Sequence, residues 1–135
     1  MALFVWSEKY SVGVVRIDQQ HQGLVEIINL LHSEMLLGRG KHVLDVILDK
    51  LVDYTKIHFA TEEKLLATHG YPQEAEHKGQ HQALTEKVLA FQSDFKAGHA
   101  VISAGIMEFL RDWLSAHILK EDMAYRTFLV SKGVD

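Results

Sequence analysis

With 135 residues, 47% of them hydrophobic and 24% charged, and a formal charge of -4, the chain is long enough for one well-formed core and too short for a second domain. The absence of cysteine excludes a thiolate nucleophile, a zinc ribbon, an iron–sulfur cluster and a disulfide framework. No apolar run approaches the roughly 18 residues of a transmembrane segment, the scattered lysines and arginines argue against nucleic acid, and the first residues lack a secretory leader, so a cytoplasmic protein is expected.

Residues 1–17 have no clean helical phase, because Gly13 interrupts the apolar series Trp6, Tyr10, Val12, Val14 and Val15. They are read as an ordered, extended arm packed on the rest. From Asp18, taken as an N-cap, Leu24, Val25, Ile28, Leu31 and Met35 recur at three- and four-residue steps, which predicts a helix over 19–37. Gly38-Arg39-Gly40 breaks it. Leu44, Ile47, Leu48, Leu51 and Tyr54, continuing to Leu65 and Leu66, predict a second helix over 41–67. After Gly70, Pro72 suits the first turn of a third helix over 73–97, with Glu74 and Glu76 at its positive end and Leu84, Val88, Phe91 and Phe95 inside. Ile102, Ile106, Phe109, Leu110 and Trp113 mark a fourth helix over 101–118, followed by a further helical piece over 121–130. Short connections make consecutive helices antiparallel neighbours. The expected fold is all-α: an up-down-up-down four-helix bundle with an extended N-terminal arm, one domain over 1–135 with its bundle and C-terminal piece in 18–130.

Helical phase also carries polar residues into the inner stripes. In the second helix the inner line runs Leu51, Tyr54, Thr55, His58, Glu62, Leu65, and in the third His77 and His81 continue into Leu84 and Val88. His21 opens the inner face of the first helix, and His117 ends the stripe of the fourth. Asp122 follows His117 by a step of about 500°, some 140° off that face in a regular helix. It can join His117 only through a wider turn near Lys120. Antiparallel order brings all seven groups to one level of the bundle.

The chain has nine histidines, about three times the share of an average protein. His32 lies three turns from His21, and His42, His69 and His99 fall at helix ends or loops, so these four are assigned to structure or surface. The other five, buried with two carboxylates, would repel one another or stay unsatisfied unless a cation organised them. Seven ligands exceed the four of tetrahedral zinc and are too nitrogen-rich for calcium or magnesium. Two metal ions fit better, with Glu62 and Asp122 bridging beside an oxo or hydroxo group and the five imidazoles divided three and two. The odd number leaves one position open to a small neutral ligand, and iron is the leading metal. The pair of Glu-x-x-His motifs used by carboxylate-rich di-iron oxidases is absent, which favours reversible binding over oxygen activation. A structural zinc site is the alternative.

Four groups of residues carry a resemblance over nearly the whole chain: Ile17-Asp18-Gln19-Gln20-His21 with Leu24; His58-Phe59-Ala60-Thr61-Glu62-Glu63; Tyr71-Pro72 followed by His77 and His81; and Trp113 with His117-Ile118 and Asp122 to Tyr125. In these the chain resembles the single-domain hemerythrins of bacteria. The resemblance implies an oxo- or hydroxo-bridged pair of iron ions that binds O2 reversibly. His21 and His58 would hold the open iron, His77, His81 and His117 the other, and Glu62 and Asp122 would bridge. Phe59 and Trp113 match residues that line the ligand pocket, and Leu66 stands where the family often has methionine. The expected role is a monomeric oxygen carrier or store serving an oxygen-consuming enzyme. The alternatives are an O2 or redox sensor working through a separate partner, and a di-iron enzyme that consumes peroxide or nitric oxide.

Overall fold

The computed structural model of the protein describes residues 3–99 and 101–134, with Glu121 described by its backbone alone. A 3-10 turn at Glu8–Tyr10 precedes α1 (Val15–Leu36), α2 (Lys41–Thr68), α3 (Glu74–Lys96) and α4 (Ala104–Ala116). A π-helical turn, His117–Asp122, then joins α4 to α5 (Met123–Ser131) without a break. The described residues contain no strand. Short connections reverse the chain between successive long helices. At the end of α2, Gly70 takes φ 70°, and Tyr71 N–H donates to the Leu66 carbonyl at 2.9 Å, closing the helix so that α3 can return beside it.

The arm differs from its expected form. Helix α1 begins at Val15, so the arm is shorter than 1–17 and partly coiled, with Met1 and Ala2 outside the described residues. Val14 holds the N-cap place expected for Asp18. Asp18 lies one turn inside and works backward: its carboxylate accepts from Val12 N–H at 2.8 Å and from the Ser11 hydroxyl at 2.6 Å. These bonds, reaching back six and seven residues, with full burial of Ile17, let helix form earlier than the periodicity indicated. Phe4, Tyr10, Val12 and Val14 are all buried, so the arm packs on the bundle as expected.

Three further boundaries or faces shift. Pro72 lies in the turn ahead of α3, whose N-cap is Gln73. Helix α4 starts at Ala104 because the Ser103 hydroxyl accepts from Ile106 N–H at 3.3 Å, a side-chain cap that ends the loop. Phe109 is exposed, and fully buried Met107 takes the inner place instead, in phase with Leu110, Trp113 and Leu114.

Two apolar clusters frame the polar residues. The larger gathers Leu24, Ile28, Leu48, Leu51, Val88, Leu110 and Leu114, among others. The smaller contains Ile17, Leu66, Tyr125 and Leu129, each within two turns of His21, Glu62 or Asp122 on the opposite side from the larger core. The seven polar residues therefore lie between two dry layers.

The arm is clamped by Asn29, whose amide accepts from Phe4 N–H at 2.9 Å and donates to the Phe4 carbonyl at 2.8 Å. Asn29→Ala removes both bonds and should cost about 2 kcal/mol. Hydrogen exchange at Phe4 and its neighbours should quicken, while exchange in α2 and α3 should change only by the global loss; an unchanged arm would contradict the clamp.

Candidate metal centre

All seven polar residues singled out in the sequence meet in the bundle, and each is 3% exposed or less. α1 supplies His21, α2 His58 and Glu62, α3 His77 and His81, and the π turn His117 and Asp122. That turn is the local distortion the spacing required, since a π turn closes on i+5 and returns Asp122 toward His117. His117 Nε2 lies 3.1 Å from Asp122 Oδ1.

The carboxylates divide the histidines into two groups. Glu62 Oε1 faces His58 Nε2, in direct contact, and His21 Nε2 at 3.3 Å. Its other oxygen, Oε2, faces His77 Nε2 at 3.1 Å and His81 Nε2 at 3.4 Å. Asp122 does likewise, with Oδ2 2.8 Å from His21 Nε2 and Oδ1 3.2 Å from His77 Nε2. The ligand atoms of His77, His81, His117, Glu62 and Asp122 lie within 4.8 Å of one another, and so do those of His21, His58, Glu62 and Asp122. Either set could hold a metal ion, with both carboxylates shared.

The outer nitrogens test whether a cation belongs there. His58 Nδ1–H donates to Gln20 Oε1 at 2.7 Å, an acceptor identified by the Gln20 NH2, which donates to Thr61 Oγ1 at 3.3 Å. His81 Nδ1–H donates to Glu63 Oε2 at 3.2 Å. In their neutral forms both rings then aim an Nε2 lone pair at a carboxylate oxygen, acceptor against acceptor. His58 Nε2, His81 Nε2 and both oxygens of Asp122 are buried without a well-formed hydrogen bond. A cation between them satisfies every one, so the donor set fits a metal pair.

The charges of the metal-free site follow the same geometry. Burial opposes charge on His21 and His77, but the close carboxylates of Asp122 and Glu62 that face them win and raise both to about 9. His58 is lowered, because burial outweighs the pull of Glu62. Burial opposes ionisation of Glu62 too, yet His58, His21 and His77 hold its carboxyl well below the usual range. Asp122 is likewise held low, by His117 and His21 against burial and the neighbouring Glu62.

Around this centre Phe59 is buried and stacks on His81, with ring centroids 3.9 Å apart and planes 5° from parallel, and it meets His117 edge-on at 5.2 Å. Trp113 is buried behind it at 6.5 Å. A groove of about 510 Å³ between α2 and α3 ends on Phe59 and His81, with Lys56, Glu63 and Lys78 among its walls. A smaller pocket of about 220 Å³ beside His77 carries exposed Lys120 on its rim.

Sequence reasoning assigned no role to Gln20, Glu63 or Tyr125. The first two bind histidines of other helices, 38 and 18 residues away, which no single helical face reveals. Tyr125 lies fully buried with its ring 5.3 Å from His77, and burial beside Asp122 and Glu62 pushes its phenol well above the ordinary value. Its signals were a phenol in phase with Asp122 and a place at the end of the Asp122 to Tyr125 group. His42 and His99 are exposed and His32 and His69 half-buried, none of them in either ligand set.

Comparison with known proteins bears on this arrangement directly. The family model described as the hemerythrin HHE cation binding domain matches residues 12–129. The chain is 40% identical over 125 residues to a bacteriohemerythrin of Stenotrophomonas maltophilia, covering 93% of this chain and 80% of that one. It is 34% identical over 126 residues to a bacteriohemerythrin of Methylococcus capsulatus, covering 93% and 95%. A crystal structure of wild-type hemerythrin superimposes with a TM-score of 0.86 at 33% identity, covering 93% of this chain and 97% of that one. Among the described residues no helix is long and apolar enough to cross a membrane.

Proposed function

The chain belongs to the hemerythrin family, and from that premise we propose that it binds O2 reversibly at a non-heme di-iron centre, as an oxygen carrier or store rather than an enzyme. The observation that carries this reading is the division of both buried carboxylates between two histidine groups, one oxygen to each. His77, His81 and His117 would hold one iron, His21 and His58 the other, and Glu62 and Asp122 would bridge. When bound, the iron pair supplies a redox-active position open to a small neutral diatomic ligand. The two-histidine set offers one protein donor fewer, so that position belongs there.

The protein's own residues then orient and protect. Gln20 and Glu63 hold two imidazoles with Nε2 turned inward. Phe59 and Trp113 keep bulk water from the rings, and the two apolar clusters close the bundle on either side. A dry, rigid site suits uptake and release of a neutral molecule without net proton exchange with solvent.

The deciding experiment is an optical spectrum of anaerobically reduced, iron-quantified protein as air is admitted and then swept out with argon. Colour that appears with O2 and vanishes on its removal is the expected result. Irreversible oxidation with no such colour would overturn the carrier reading, and a chain that takes zinc but no iron would overturn the metal assignment.

Metal loading should also release protons. His21 and His77, raised to about 9, are protonated in the metal-free protein at neutral pH, while Glu62 and Asp122 are already charged. Binding at pH 7 should therefore expel the protons of His21 and His77, at least about two, with any from a water that becomes the oxo or hydroxo bridge in addition, and affinity should climb with pH through about 9. Calorimetry in buffers of different ionisation enthalpy reads this directly; metal binding with no proton release would contradict it. The sign for the metal-free fold is opposite, because these raised values add stability below about 6.5 that is lost as pH rises through about 9.

A further inference from the structure

The two histidine groups differ in what stands behind them. His58 gives its Nδ1 proton to a neutral amide, Gln20 Oε1, at 2.7 Å, and that amide is held by Thr61, whose hydroxyl in turn donates to the Ile57 carbonyl at 3.0 Å. His81 gives its Nδ1 proton to an acid, Glu63 Oε2, at 3.2 Å. Both bonds fix the tautomer, so both rings present Nε2 inward. Their acceptors are unequal in charge. At equal length a hydrogen bond to a carboxylate is roughly twice as strong as one between neutral groups, and even at the longer 3.2 Å the negative oxygen of Glu63 draws the proton outward, leaving the imidazole a better electron donor at its other nitrogen.

Resting on the di-iron reading above, we propose that Glu63 and Gln20 are positioning residues that make the two metal positions electronically unequal, Glu63 enriching the three-histidine position through His81 and Gln20 leaving the two-histidine position poorer through His58. The stronger donor thus serves the position that already has the fuller protein ligand set. That metal favours its Fe(III) state, whereas the two-histidine metal stays the more Lewis-acidic, at the position open to an outside ligand. The contrast is carried by the charge of the acceptor, an acid oxygen behind His81 and an amide oxygen behind His58.

Glu63→Gln and Gln20→Glu each keep side-chain shape, and the exchange variant carrying both keeps net charge as well. Iron content is measured first: wild-type protein that binds no iron would sink the di-iron reading, a failure distinct from the one tested next. In iron-loaded protein, Glu63→Gln should raise the midpoint potential of one couple and Gln20→Glu should lower that of the other. A tenfold change in metal affinity, the lower end for loss of such an outer partner, reads as roughly 59 mV for one electron where it falls on the Fe(III) state alone. In half-reduced samples the Mössbauer preference for reducing one iron first should weaken in the exchange variant, where the outer partners oppose the unequal histidine counts rather than add to them. Glu86→Gln removes a charge from the same groove without touching a histidine hydrogen bond, and should leave both potentials where they were. In zinc-loaded protein the His81 Nδ1 proton resonance should move upfield in Glu63→Gln while that of His58 stays. Unmoved potentials in iron-loaded variants, or an equal shift from Glu86→Gln, would overturn the proposal.

Discussion

Glu62→Ala should reduce iron loading from a pair to a single ion per chain, with the loss at the His21 and His58 position. Glu62 touches four of the five histidines and is 1% exposed, and a water entering the space it leaves supplies neither its charge nor its two bridging oxygens. Without it the three-histidine group still has Asp122 and makes four protein donors, enough for one ion. The other group falls to His21, His58 and a share of Asp122. The metal-free fold should also lose about 3 kcal/mol, the lower end for breaking a buried ion pair, because His21 and His77 can shed their protons rather than remain charged and unpaired. Glu62→Gln separates the effects, since it fills the space but offers one oxygen. It too should lose the second iron while losing less stability. Iron analysis with denaturant titration reads both quantities, and two irons per chain in Glu62→Ala would rule out the bridging role.

Phe59→Ala should destabilise the protein by about 3 kcal/mol and admit water to the centre. Truncation of a buried phenylalanine costs 3–5 kcal/mol where the cavity stays empty. Here the space would join the groove of about 510 Å³ that already ends on Phe59. Water can then fill it beside the polar edge of His81, which holds the cost to the lower end. The stacking that keeps the His81 ring in place, at 3.9 Å, is lost at the same time. The O2-dependent colour should therefore decay about tenfold faster, a fall of 1.4 kcal/mol in the barrier. Phe59→Leu keeps most of the volume and should stay within about 1.5 kcal/mol of the wild type. If Phe59→Ala decayed no faster than Phe59→Leu, the ring would be packing alone and not a water barrier.

Much of the bundle was legible because a helix writes its buried face into the chain at a fixed period. His58 and Glu62 one turn apart, and His77 and His81 one turn apart, could be placed inward by phase, and antiparallel order then brought them level with His21 and His117. Even the π turn was implied, since Asp122 could not otherwise face His117. Phase is less decisive where two faces of a helix are both apolar. Phe109 and Met107 competed for the inner side of α4, and the neighbouring helices buried Met107.

Other features lay outside the helical period. Helix α1 starts at Val15 because Asp18, in its first turn, reaches back six and seven residues to Val12 and Ser11, a contact that apolar spacing does not register. The amide behind His58 and the acid behind His81 come from other helices, and their distances depend on how α1 and α3 lie along α2. Residue type, helical period and antiparallel order determined that five histidines and Glu62 face one level of an all-α bundle, and that Asp122 could join them only through a wider turn, since a side chain's direction around a helix follows from its position in the chain. Only the packed helices decided which carboxylate oxygen faces which imidazole, because contacts a few ångströms wide are set by the relative placement of several helices and leave no periodic trace in any one of them.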